Sequence, residues 1–199
     1  QQNRQKLFQM LSAMGVLPVF ISPWKAETWG FPGNVILPGI DTEQDFPGGY
    51  HGKEVRVMRV CSNFQQRDFM NGYTLNQQIV TGLPNMLLGE GNGDDGMRNR
   101  EGQVLPEARQ SHSFDEYRDC LRRLRAMIVT NIPVFEDGWN LSMLEAMAQG
   151  MPVVSTYHPR TPLAHGQNAF LSDATEQCRI FAMQLLSDRP LAQTMGGVG

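Results

Sequence analysis

Asp137 and Glu145 flank a helix start predicted within Pro133 to Ser155, where Asn140 suits the cap and Leu141 the first helical position. A helix start leaves backbone N–H groups without partners, and its dipole favours an anion there. The amides of Leu141, Ser142 and Met143 could therefore receive a diphosphate. Carboxylates beside such a site can accept hydrogen bonds from sugar hydroxyls, so the pattern suits a nucleotide sugar. As an isolated pair the two acids could equally complement the helix dipole, a role worth about 0.3–1 kcal/mol.

Those residues need a framework that brings them to one edge. Strands are expected at Val16 to Ser22, Asn34 to Pro38, Val55 to Cys61, Asn85 to Leu88, Met127 to Thr130 and Val153 to Ser155. Helices are expected at Gln2 to Ala13, Pro23 to Trp29, Tyr73 to Thr81, Ser113 to Arg125, Leu141 to Gln149 and Ala174 to Leu186. In the first helix Leu7, Met10, Leu11 and Met14 line one face; in the Ser113 helix Phe114, Tyr117, Cys120, Leu121 and Leu124 do so. The alternation predicts an α/β fold, a parallel sheet with helices on both faces and a ligand crevice at the carboxyl ends of its strands. Gly39 to Tyr50 has the Pro and Gly density of a linker, which sets a boundary near residue 48: 1–48 as one piece and 49–199 as the main domain. Glu90 to Gln103 reads as a polar surface loop, with neither a dinucleotide fingerprint nor a calcium loop.

With 199 residues, 41% of them hydrophobic, and a net charge of -3, the chain fits an ordinary globular domain and lacks a basic footprint for nucleic acid. Cys61, Cys120 and Cys178 follow no metal or disulfide spacing, so each is expected to pack as a reduced, small apolar residue in a cytoplasmic protein. The histidines, His51, His112, His158 and His165, show no helical metal spacing and read as loop residues. Met143, Met147 and Met151 read as core packing. No apolar run approaches the roughly 20 residues that span a bilayer. The chain starts without Met and stops on Met195-Gly-Gly-Val-Gly199, as expected of a piece of a longer protein.

Asp137-Gly-Trp-Asn-Leu-Ser-Met-Leu-Glu-Ala-Met-Ala-Gln-Gly-Met-Pro-Val-Val-Ser155 resembles the donor-binding motif of retaining GT-B glycosyltransferases of the family 4 type. Thr161-Pro-Leu, His165 to Asp173 and Leu185 to Gly196 extend that resemblance downstream, and Val55 to Asp68 extends it upstream. The resemblance implies a Rossmann-like lobe of a GT-B architecture, preceded by the remnant of an amino-terminal lobe in residues 1–48. It further implies transfer of a sugar from a nucleoside diphosphate donor to an acceptor hydroxyl with retained configuration, needing neither metal nor cofactor. Glu145 takes the place that binds the ribose hydroxyls, and Asp137 that of the first family glutamate, which touches the donor sugar. Asp137 is one methylene shorter and stands beside Glu136, but it alone keeps the gap of seven intervening residues. Arg67 matches the family lysine that neutralises the leaving diphosphate, while the companion arginine has no clear counterpart. Glu136, Gly138 and Asn140 belong to the same donor-binding loop.

The implied partners are the donor and a glycan, lipid or small-molecule acceptor, with the missing lobe or a partner chain completing the enzyme. In the full-length protein the location implied is cytoplasmic, at most peripheral to a membrane. A non-catalytic nucleotide- or glycan-binding module and a GT-B-type epimerase are the alternatives. A phosphorylase would need a lysine for pyridoxal phosphate, and Lys6, Lys25 and Lys53 lie outside the lobe's core.

Overall fold

A computed structural model describes residues 2–92, 108–109, 111, 113–136 and 138–198. They form two compact units, Gln1–Gly39 and Ile40–Gly199. In the first, α1 (Gln2–Ala13), β1 (Val19–Phe20), α2 (Pro23–Trp29) and β2 (Asn34–Val35) surround a two-stranded parallel sheet. Ser22 caps α2 by accepting the N–H of Lys25, with Pro23 in the first turn where its missing N–H costs nothing. Both strands are shorter than their apolar runs. A two-stranded ribbon offers too little surface to cover the expected face of α1, so Leu7, Met10 and Met14 stay exposed while Phe8 stacks on Phe31.

The second unit is a six-stranded, all-parallel sheet of order β5-β4-β3-β6-β7-β8. Its strands are β3 (Glu54–Val60), β4 (Asn85–Leu88), β5 (Ala108–Arg109), β6 (Leu124–Val129), β7 (Val153–Thr156) and β8 (Ala169–Ser172). Between them lie α3 (Asp68–Asn71), α4 (Tyr73–Val80), α5 (Phe114–Arg123), α6 (Leu141–Gln149), α7 (Thr175–Ser187) and α8 (Arg189–Gly196). The unit begins at Ile40, earlier than the expected boundary near 48. Phe46 is buried against Phe114 and Tyr117, and Arg118 donates to the carbonyls of Gln44 and Asp45, which draws the linker into this unit.

Successive strand residues point to opposite faces, and the core divides accordingly. Met58, Met127, Val129 and Val153 pack with Cys120, Leu121, Met143 and Ala146 of α5 and α6. On the other face Val57, Ala126, Ile128 and Val154 pack with helices α4, α7 and α8 through Ile79, Cys178, Ala182, Leu185 and Met195. Both faces are therefore covered, which is why β6 is buried along its whole length.

Several boundaries differ from the sequence reading. The Ser113 helix stops at Arg123, and Leu124 and Arg125 join β6, since Leu124 pairs opposite Glu54 and Arg125 donates to the carbonyls of Gly52, Leu185 and Leu186. Phe114, expected in the core, lies half exposed as the first helical residue. The short α3, strands β5 and β8, and α8 beyond the helix expected to end at Leu186 are additional elements; β8 follows a Gly-bearing loop and pairs along the free side of β7. Cys120 and Cys178 are buried, and burial pushes each thiol up to about 11, whereas Cys61 is only partly buried. Met143 and Met151 are fully packed, with Met147 against the same cluster.

The last helix closes against Gly150, the αL cap of α6. Gly196 lies so near that a Cβ there would overlap the Gly150 carbonyl oxygen, a backbone atom that cannot rotate away. Gly196→Ala is thus expected to destabilise the chain by roughly 2–4 kcal/mol, read as a lower midpoint in urea with an unchanged slope.

Candidate functional site

The strand order creates one reversal. From β3 the sheet grows through β4 to β5, then restarts on the other side of β3 with β6, β7 and β8. Loops leaving the carboxyl ends of β3 and β6 must therefore diverge, and the gap between them is where open parallel sheets bind ligands. Arg67 follows β3, while Glu136, Gly138, Asn140 and Glu145 follow β6.

Buried polar contacts fix both loops. Arg59 of β3, 2% exposed, donates to the carbonyl of Ile128 and to the side-chain oxygen of Asn131, and packs over the ring of Phe64. Burial holds its pKa below the usual arginine value, with Cys61 and Glu136 opposing the shift electrostatically. Asn92 ties the next layer. Its amide donates to the carbonyls of Cys61 and Gly89 and its oxygen accepts the Phe64 N–H at 2.8 Å.

The loop after β6 is held from beneath by His158. The Arg160 N–H donates to Nδ1 at 3.2 Å, so Nε2 carries the proton and donates to the Glu136 carbonyl at 3.0 Å. Arg160 also donates to the carbonyls of Pro133 and Glu136. Gly138 has φ +85°, and a Cβ there would sit 2.6 Å from His158 Nδ1. Only glycine passes so close in that conformation. His158, expected as an ordinary loop residue, is thus a buried brace; His165 instead accepts the Leu171 N–H and orders the approach to β8.

Helix α6 starts at Leu141 and ends at Gln149, with Asn140 accepting the Met143 N–H at 3.1 Å and the Ser142 hydroxyl at 2.6 Å. This cap occupies one of the three amides expected to meet phosphate, Met143. Helix geometry leaves Leu141 and Ser142 without an intrahelical acceptor.

Glu145 lines a cleft of about 310 Å³ together with Val60 at the end of β3 and Ser62 beyond it, Leu88 at the end of β4 and Gly89 and Glu90 beyond it, Ser111 ahead of α5 and Tyr117 on α5. The Tyr117 hydroxyl donates to Glu145 Oε2 at 2.6 Å. Burial raises the Glu145 pKa above the ordinary carboxylate value, and the Tyr117 hydrogen bond pulls it partly back. Arg67 is exposed at the head of α3 and is not part of this cleft. Asp137 and His112 lie outside the described residues, as do Asp94 and Asp95 of the polar loop. Among the described residues no group of three or more His, Cys, Asp or Glu could hold a metal, and no helix is long and apolar enough to cross a membrane.

Tyr117, read from the sequence as a core-facing position, is a cleft residue. The signal was its hydroxyl: a tyrosine on the apolar stripe of a helix needs a polar partner once buried. Arg59 carried a similar signal as a charge set between the apolar Met58 and Val60 near the end of a strand.

An all-parallel sheet with both faces covered, reversing at β3 and β6, defines a Rossmann-like lobe of the GT-B type. The family model for glycosyl transferases group 1 matches residues 83–188, and the chain belongs to that family. Among solved structures, Anabaena HepE in complex with UDP and glucose superposes with a TM-score of 0.66 at 14% identity, covering 99% of this chain and 60% of that one. A point mutant of S. aureus TarM, crystallised with fondaparinux, α-GlcNAc-glycerol and UDP, gives 0.64 at 16% identity, covering 90% and 38%. The C-terminal domain of the Francisella tularensis group 1 glycosyl transferase LpcC gives 0.51 at 14% identity, covering 80% and 94%. The chain therefore spans 60% of the HepE chain and 38% of the TarM chain, less than two thirds of each. A search of curated protein sequences gave no match.

The raised pKa of Glu145 has a definite sign in stability. The native state holds this proton more tightly than the unfolded chain, so the associated stability is full below the ordinary carboxylate pKa and is lost as pH rises through the raised value. Wild type should gain melting temperature relative to Glu145→Gln as pH is lowered from about 7.5 to about 4, in paired thermal melts.

Proposed function

We propose that this chain is the donor-binding lobe of a retaining glycosyltransferase, one that moves a sugar from a nucleoside diphosphate to an acceptor hydroxyl. The observation that carries the reading is Glu145 in the cleft at the sheet reversal, on the helix whose first amides point to the same end of the sheet. In this reading Glu145 accepts hydrogen bonds from the ribose hydroxyls, Asp137 engages the donor sugar, and Glu136, Gly138 and Asn140 shape the loop between them. The amides of Leu141 and Ser142 and the Arg67 guanidinium stabilise charge growing on the departing diphosphate. No nucleophile is assigned; the chemistry is positioning plus electrostatic stabilisation. UDP in the HepE and TarM structures supports a uridine donor, and the glycan ligands of TarM support a glycan acceptor. The acceptor face is assigned to a preceding lobe or a partner chain.

Calorimetric titration with UDP-, GDP- and ADP-glucose tests the donor role. One of them should bind the 199-residue chain, and Glu145→Ala should weaken it at least about tenfold. An unchanged affinity would remove Glu145 from ribose binding. The chain alone should bind donor yet show little or no sugar transfer in a radiolabel assay; robust turnover would contradict the assignment of the acceptor face to another lobe.

A further inference from the structure

Glu145 is partly buried, and among the described residues its carboxylate receives one hydrogen bond, from a phenol 28 positions earlier in the chain. That phenol belongs to a side chain with little freedom. Tyr117 lies edge-on to Phe46 and tilted against Phe114, and those two rings meet edge to face at 5.4 Å between centroids. Tyr117 and Glu145 both line the cleft, so the bond joins two walls of the same recess, one from α5 and one from α6.

A free glutamate side chain samples many rotamers and must lose that freedom when it binds a ligand. The phenol also fixes polarity. Its hydroxyl can donate to the carboxylate but leaves Glu145 an acceptor toward the cleft, which suits a ligand presenting hydroxyl donors. Building on the donor reading above, we propose that Tyr117 is a positioning residue that presets Glu145 for a ribose diol and so makes the site selective for ribonucleotides over nucleotides lacking those hydroxyls.

The test uses the 199-residue chain, with UDP and 2′,3′-dideoxy-UDP titrated into wild type, Tyr117→Phe, Glu145→Gln and the double variant. Phenylalanine keeps the ring and its packing, and thermal melts check that the fold persists. Tyr117→Phe should weaken UDP about tenfold and change dideoxy-UDP less than about twofold, with no further loss when added to Glu145→Gln. An equal loss for both ligands would reduce Tyr117 to a packing role and overturn the proposal. If Glu145→Gln weakens UDP and Tyr117→Phe does not, the positioning claim falls and the ribose role of Glu145 stands. No effect of Glu145→Gln, or no UDP binding by wild type, would overturn both.

Discussion

The parallel pairing of β3 with β6 is the constraint on which the site depends. It sets side by side two strands from separate parts of the chain, and the loops leaving them turn in opposite directions. Arg59 seals the pair. A guanidinium removed from water must be hydrogen-bonded to be tolerated, and its partners, the Ile128 carbonyl and Asn131, stand where β6 gives way to the loop that carries Glu136 and Gly138. The charge therefore works as a register pin: sliding β3 against β6 would strand it in the core.

From that pin the site is built outward by contacts that are individually modest. Asn92 holds the loop after β3 to the loop after β4, and His158 with Arg160 holds the loop after β6 to the loop after β7. Gly138 passes over His158 in a conformation that other residues adopt only with strain. The Asn140 cap then sets the start of α6, which determines where Glu145 stands one turn later. Sheet reversal, loop bracing and helix cap thus act in series, and the bond from Tyr117 sets the last step, the carboxylate itself.

The alternation of strands and helices was legible where elements are long enough to show a period, as in α6, whose cap, first residue and terminal glycine match the reading from Asn140 to Gly150. Ends were less legible. Helix α5 runs directly into β6, and only the pairing of Leu124 opposite Glu54 and the buried bonds of Arg125 decide where one stops. The two-residue strands of the first unit fall short of their apolar runs because a ribbon of two strands has little to pack against.

By itself the sequence determined the fold class, the family motif and the carboxylate at position 145, since these rest on local periodicity and on residue types at fixed spacing along one continuous segment. Tertiary structure alone decided that Tyr117 faces Glu145, that Arg59 is spent on Asn131, and that His158 braces Glu136. Each of those contacts joins residues at least 22 positions apart. No local pattern encodes such a pairing; it exists only once burial forces a polar group to find the partner that the sheet order has brought within reach.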